Sequence, residues 1–294
     1  MQRGRYYLAR VIKSGQLNQE TLQNAIMQAP TVELGQFEWT ITDVVDGRDT
    51  PIPYIYGNLA KYSREGHVTI VNESAKQQRQ ADAPGLLEAS SPFVYLPEFS
   101  GLAFMHVWNG IQENVFPRRF KSVIEAAFDN FFVGCTVEPI ADYRAFLDKL
   151  RSLEVITELS AKVNPPNPLF GRLWGSLEEY VKRRHADEVV VKETSSRPGG
   201  LFTELPKLIE SILKNPKFEP AKTPDITDAA MLMAADGYGA GKATGTEDGR
   251  EVVVKTSDSQ KSFLYDKTPN PLHLAIEVHE HFQQVSDERD MEHG

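Results

Sequence analysis

Val115-Phe116-Pro117-Arg118-Arg119-Phe120-Lys121-Ser122-Val123-Ile124-Glu125-Ala126-Ala127-Phe128-Asp129-Asn130-Phe131-Phe132 marks the point at which the character of the chain changes. Phe116, Phe120, Val123, Ile124, Ala127, Phe128 and Phe131 recur at spacings of three and four, which makes one apolar face of an α-helix. Pro117 suits the first turn of that helix, where its missing N–H leaves no hydrogen bond unmade. Before this helix the chain reads as strands; after it, helix and strand alternate. The fold class that follows is α+β, with a strand-rich N-terminal region, an open α/β sheet region and a small acidic C-terminal unit.

Upstream, Arg5 to Lys13, Phe37 to Val45, Tyr54 to Tyr62, His67 to Asn72 and Phe93 to Trp108 are rich in aromatic and β-branched residues. Clusters such as Asp46-Gly47-Arg48-Asp49-Thr50-Pro51 break them up. A short helix over Asn18 to Gln28 interrupts the sheet. Glu73 to Ser90, with Lys76, Gln77, Gln78, Arg79 and Gln80 in succession, has no apolar period and reads as a mobile connection or exposed helix. Downstream, strands at Cys135 to Ile140, Val155 to Val163 and Glu188 to Lys192 are separated by helices at Ala141 to Leu153, Leu173 to Arg184 and Leu201 to Leu213. Pro165-Pro166-Asn167-Pro168 should end the second of these strands. Such spacing suits right-handed crossovers within one sheet.

Asn215 to Pro224 has the proline-rich composition of a linker. Past it lie a helix over Asp228 to Ala235, a turn at Gly237 to Gly241, a strand over Arg250 to Thr256, a helix from Pro271 to about Val285, and a charged run, Asp287 to Glu292, that should fray. The boundaries expected are 1–112 for the strand-rich region, 113–222 for the α/β middle and 223–294 for the acidic unit.

Lys plus Arg is 32 and Asp plus Glu 41, a net charge of −9, which argues against coating nucleic acid by bulk charge. From Thr223 onward 14 acids stand against 6 bases, leaving 27 against 26 before it, so the body is neutral and position matters more than the total. The single cysteine, Cys135, excludes an internal disulfide and a multi-cysteine metal site held by this chain alone, and suits a reducing cytoplasm. Its apolar flanks suggest burial. The longest small or apolar run, Ala229 to Ala235, is far below the roughly 20 residues that span a bilayer, so no membrane insertion is expected. Aromatic strands such as Phe93 to Trp108 need covering, which leads to an expectation of self-association.

No catalytic motif and no cofactor fingerprint stands out. Gly237 to Thr244 has the look of a phosphate loop, but Asp236 and Ala243 stand where the glycine and the hydroxyl belong. His273, Glu277 and His281 share a helix face at spacings of four, which reads as a solvated face rather than a metal site. Asp187, Glu188 and Lys192 resemble the two acids and lysine of a metal-dependent nuclease, with the lysine too far along. Ser195 to Gly200 could seat an anion at the start of the helix expected from Leu201. Lys182-Arg183-Arg184-His185 ends a helix, where cations are favourable.

Arg118, Arg119 and Lys121 are different, because they sit in the first turns of their helix, where the dipole disfavours cations by roughly 0.3 to 1 kcal/mol each. Either acids from another element pair with them, or they contact phosphate.

Gly134-Cys135-Thr136-Val137-Glu138-Pro139, Ile156-Thr157-Glu158-Leu159 and Asn164 to Pro168 resemble a bacterial domain-of-unknown-function family, forty-seven forty-seven. Ala234-Ala235-Asp236-Gly237-Tyr238, Asp248-Gly249-Arg250 and Lys255-Thr256-Ser257-Asp258 are similar to its C-terminal block. More distantly, the strand-rich half ending in Val137-Glu138-Pro139 resembles lambda RexA and the KwaB subunit of the Kiwa defence system. What these resemblances imply is an anti-phage defence protein that binds DNA as a homo-oligomer. The function expected is therefore a non-enzymatic nucleic-acid-binding or sensing component, using Arg118, Arg119 and Lys121, with a defence-system partner. The alternatives are a metal-dependent nuclease effector on Asp187, Glu188 and Lys192, or a pure protein-interaction subunit.

Overall fold

A computed structural model of the chain describes residues 2–164 and 169–293; Pro165-Pro166-Asn167-Pro168 lie outside the described residues. The first half runs β1 (Arg3–Gly15), α1 (Gln19–Met27), β2 (Val32–Leu34), β3 (Phe37–Asp46), β4 (Ile55–Ser63), β5 (His67–Asn72), β6 (Gln77–Asp82), β7 (Leu86–Leu96), β8 (Gly101–Met105), α2 (Phe116–Ala126) and β9 (Val133–Pro139). The second runs α3 (Tyr143–Arg151), β10 (Val155–Val163), β11 (Leu169–Gly171), α4 (Gly175–Arg183), β12 (Val189–Thr194), α5 (Leu205–Lys214), α6 (Ile226–Met233), β13 (Gly239–Glu247), β14 (Arg250–Lys255), β15 (Ser262–Asp266), α7 (Pro271–Arg289) and β16 (Met291–His293). The architecture is α+β, with strands concentrated in the N-terminal region.

Strand β1 organises the larger sheet, in the order β15-β1-β8-β7-β4-β3-β2. It holds β8 along one edge, and along the other first β15 and then β9. Its side chains alternate between two cores, as a strand buried on both faces requires. Tyr6, Leu8 and Ile12 join the core packed with α3, α5, α6 and α7, while Ala9 and Val11 join the one beneath α1 and α2. The second sheet has the order β12-β10-β13-β14.

Every pairing among the described strands is antiparallel, so the crossovers suggested by the alternation after Phe132 are not made. The chain returns β9 to β1 and opens the second sheet with β10, whose neighbours β12 and β13 come from either side of the proline-rich linker. Strand β13, read in part as a turn, is a full nine-residue strand rich in small residues. The segment from Glu73 is neither helix nor irregular connection, because β5 and β6 form a two-stranded ribbon of their own.

Phe93 to Trp108 divides into β7 and β8 at Pro97 to Ser100, and its aromatics Phe93, Tyr95, Phe99 and Phe104 are buried by this chain itself, whereas Trp108 beyond β8 is exposed. Phe104 stacks on Phe116 with ring centroids 4.2 Å apart, and Phe93 meets Phe116 and Phe120 edge-on. Helix α2 ends five residues short of Phe131, since Asp129, Asn130 and Phe132 all take left-handed φ values. The last charged run does not fray either: α7 continues to Arg289, which is buried, and Met291–His293 pairs with β11.

Candidate nucleic-acid interface

Helix α2 begins without a side-chain cap, its N-cap being Val115, and Phe116, Phe120, Val123 and Ile124 point into the core. That burial leaves Arg118 and Lys121 facing water. Arg118 Nε donates to the Asn114 carbonyl at 2.9 Å, which closes the turn ahead of the helix. Arg119 lies with its guanidinium carbon 5.2 Å from the centroid of the buried Trp39 ring. Lys121 reaches Glu125 on its own helix at 3.6 Å, and that same carboxylate oxygen accepts the Cys135 N–H at 3.0 Å. Among the described residues, none of the three cations makes an ion pair with an acid from another element, although Lys121 acts through its charge on Glu138 of β9.

Asp187, Glu188 and Lys192 are not brought together. Glu188 sits 2.5 Å from Lys162, whereas Lys192 sits 2.8 Å from Glu158, which also holds Lys242 at 2.6 Å. Glu158 and Lys162 are four residues apart on β10, about 13 Å of strand. Asp187 precedes β12, and its carbonyl accepts a hydrogen bond from Asn164 Nδ2 at 2.7 Å. No group of three metal-ligating side chains occurs among the described residues.

The register of the second sheet produces a feature that linear spacing concealed. Lys192 lies opposite Ser160, Ser160 opposite Lys242, and Lys242 opposite Lys255, so three lysines and a serine form one row across four strands. Period two places Lys162, Thr194 and Thr244 on the same outward face. Glu138 on β9 joins this surface to α2. Burial raises its carboxyl to about 7, Glu188 adds to the rise, and Lys162 and Lys121 both oppose it.

The remaining sequence candidates have local partners. In α7 the buried apolar stripe is Leu274, Ala275, Val278, Phe282 and Val285, leaving Leu272 and Ile276 exposed. His281 lies 3.4 Å from Glu277 and packs on Phe263, and burial lowers its pKa. Gly199 and Gly200 do not open a helix, because α5 starts at Leu205, and just ahead of it the Glu204 N–H donates to Asp228 at 3.0 Å. Cys135 is fully buried and its thiol is pushed up to about 12, first by burial and then by Glu125.

A buried polar network escaped sequence reasoning altogether. Asp236 accepts from Tyr143 Oη at 2.8 Å, Trp174 Nε1 at 3.0 Å and Arg289 Nη1 at 2.6 Å, while Arg10 donates to the Asp236 and Phe99 carbonyls at 2.9 and 2.7 Å. The Asp236 turn is a π-helical one, Ala234–Tyr238, broken by Gly237 at φ 88°. A Cβ there would stand 3.0 Å from Ile140 and 3.2 Å from the Arg10 side chain. The available signal was Asp236 itself, since a carboxylate inside an apolar run must find partners. This network ties elements together and lies apart from the surface cations.

The family described as Domain of unknown function (DUF4747) matches residues 23–215, well over half of the chain. The matched span contains α2, Glu138, Glu188 and Lys192 and stops before Asp236, so the C-terminal block of resemblance lies beyond it. No curated protein matches the chain. Among the described residues no helix is long and apolar enough to cross a membrane.

Proposed function

The chain belongs to the DUF4747 family, and from that premise we propose that it is a nucleic-acid-binding, non-enzymatic component of a bacterial anti-phage defence assembly, acting in the cytoplasm. The observation that carries this reading is the set of cations at the start of α2, Arg118, Arg119 and Lys121, which among the described residues make no ion pair with an acid from another element. A helix start repels such charges and attracts anions, so a bound phosphate turns an unfavourable arrangement into a favourable one. The lysine row adds little to this set of cations, because Glu158 holds both Lys192 and Lys242 and Glu188 holds Lys162. Contact through phosphates carries no base preference, and with a net charge of −9 the binding is weak and strongly salt-dependent. The defence setting rests on the distant resemblance to RexA and KwaB alone. A nuclease reading has less support, because Glu188 and Lys192 are drawn to different partners on β10.

Fluorescence anisotropy with labelled duplex and single-stranded oligonucleotides tests the reading. Binding should be seen at about 50 mM salt, fall steeply by about 200 mM, and be lost in the Arg118→Glu/Lys121→Glu variant. Binding that survives the double substitution, or none at low salt, overturns it.

A further inference from the structure

Between the end of α2 and the start of β9, the chain makes a tip whose backbone and side chains are both out of the ordinary. Phe131 and Phe132 are 67% and 75% exposed, with ring centroids 6.1 Å apart. Asp129, Asn130 and Phe132 have φ values of 53°, 58° and 53°. Aspartate and asparagine tolerate that region, whereas for a bulky aromatic it is strained. The Phe132 turn is held there by the Gln16 N–H, which donates to its carbonyl at 2.8 Å, and by Gly15, where a Cβ would approach that oxygen to 2.2 Å. A fold that spends strain to fix two phenyl rings in water calls for an explanation.

Beside the tip, α1 and the end of α2 enclose a groove of about 440 Å³. Ala25, Pro30, Ala126 and Phe128 supply its apolar lining, Asn24 and Gln28 its rim, and no charged residue lines it. Phe128 lines the groove and its carbonyl accepts the Phe131 N–H at 3.0 Å, so projection and groove are immediate neighbours on one surface.

We propose that this surface is a two-fold contact between copies of the chain, in which Phe131 and Phe132 of each copy enter the groove of the other. An isologous interface requires one patch to be complementary to itself. A projection next to a matching recess provides that, and an uncharged lining leaves nothing in the groove to repel its own image across the axis. At these exposures, four phenyl rings contribute roughly 400 to 700 Å² of the about 1,200 to 2,000 Å² of a stable interface. The rings alone fall short of a stable interface, so the association is modest.

Sedimentation velocity on the full chain decides it. The expected result is a reversible dimer of the 33.0 kDa chain at micromolar concentrations. Phe131→Ser/Phe132→Asn removes the projection while keeping a residue that tolerates the left-handed turn, and Asn24→Arg lays a long side chain across the recess. Each variant alone should be monomeric with an unchanged or raised Tm. Mixed, they should associate, because the intact projection of one meets the intact recess of the other. A wild-type chain that stays monomeric to about 100 µM, or variants that dimerise like it, overturns the proposal.

Discussion

Arg289 Nη1 lies 2.6 Å from Asp236 Oδ1, with the two side chains 3% and 4% exposed. The pair fastens the end of α7 to the π-helical turn, and Arg289 Nη2 adds a bond to the Ala141 carbonyl. Removing one member strands a buried charge, so Asp236→Ala and Arg289→Met should each cost about 3 to 5 kcal/mol. The double variant should cost clearly less than their sum. Urea unfolding of the four proteins measures the coupling.

Glu138 gives stability a pH dependence of known sign. Its carboxyl is raised from 4.5 to about 7, so the folded state holds the proton more tightly than the unfolded chain. That contribution is fully present below pH 4.5 and is lost as pH rises through about 7. Glu138→Gln should therefore raise the Tm at pH 8, by an amount equivalent to at most about 3 kcal/mol, and change it little at pH 4. Equal effects at both values would mean that the side chain acts through packing.

Arg118 and Arg119 should part company in a stability measurement. Arg118 is exposed, and its replacement by Glu should be neutral or favourable by up to about 1 kcal/mol at a helix start. Arg119 covers Trp39, and Arg119→Glu should lose about 1 kcal/mol or more of cation–π and packing interaction. Thermal melts of the two single variants separate these roles from their shared effect on phosphate binding.

The β5–β6 ribbon has no third strand, and a two-stranded ribbon adds little stability of its own. Limited proteolysis should cut first within Glu73 to Lys76, the exposed turn between its strands. Replacing residues 66–83 by a short Gly-Ser turn should leave the Tm within a few degrees of the parent.

Local pattern carried the individual elements further than their assembly. His67 to Asn72 and Val155 to Val163 are strands with the bounds their β-branched content implies, and α2 begins where its apolar period does. Strand β6 was hidden because Gln77 to Asp82 is polar on both faces, so no alternation marks it. Strand β13 was hidden by its glycines and alanines, whose strand conformation is imposed by β10 and β14 on either side. Partner choice has no local signature at all. Nothing near Lys192 announces that it will stand in line with Lys242 and Lys255, and nothing near Glu188 announces that Lys162 will claim it. The cations of α2 were legible because their position in a single helix, not a distant contact, made them unusual.

Strand β1 is paired with segments from across the whole chain: β8 about a hundred residues on, β9 a little further, and β15, where Arg3 meets Asp266. Tyr6 stacks on Phe263 at 5.5 Å across that last seam. During synthesis β1 emerges well ahead of β15, so one of its edges must wait until β15 has followed. Until then its Tyr6 and Leu8 face lacks the α7 packing that seals it, and closing so long a loop is slow. Between the synthesis of β1 and that of β15 the nascent chain therefore carries an open apolar strand edge, the kind of surface that pairs with other strands.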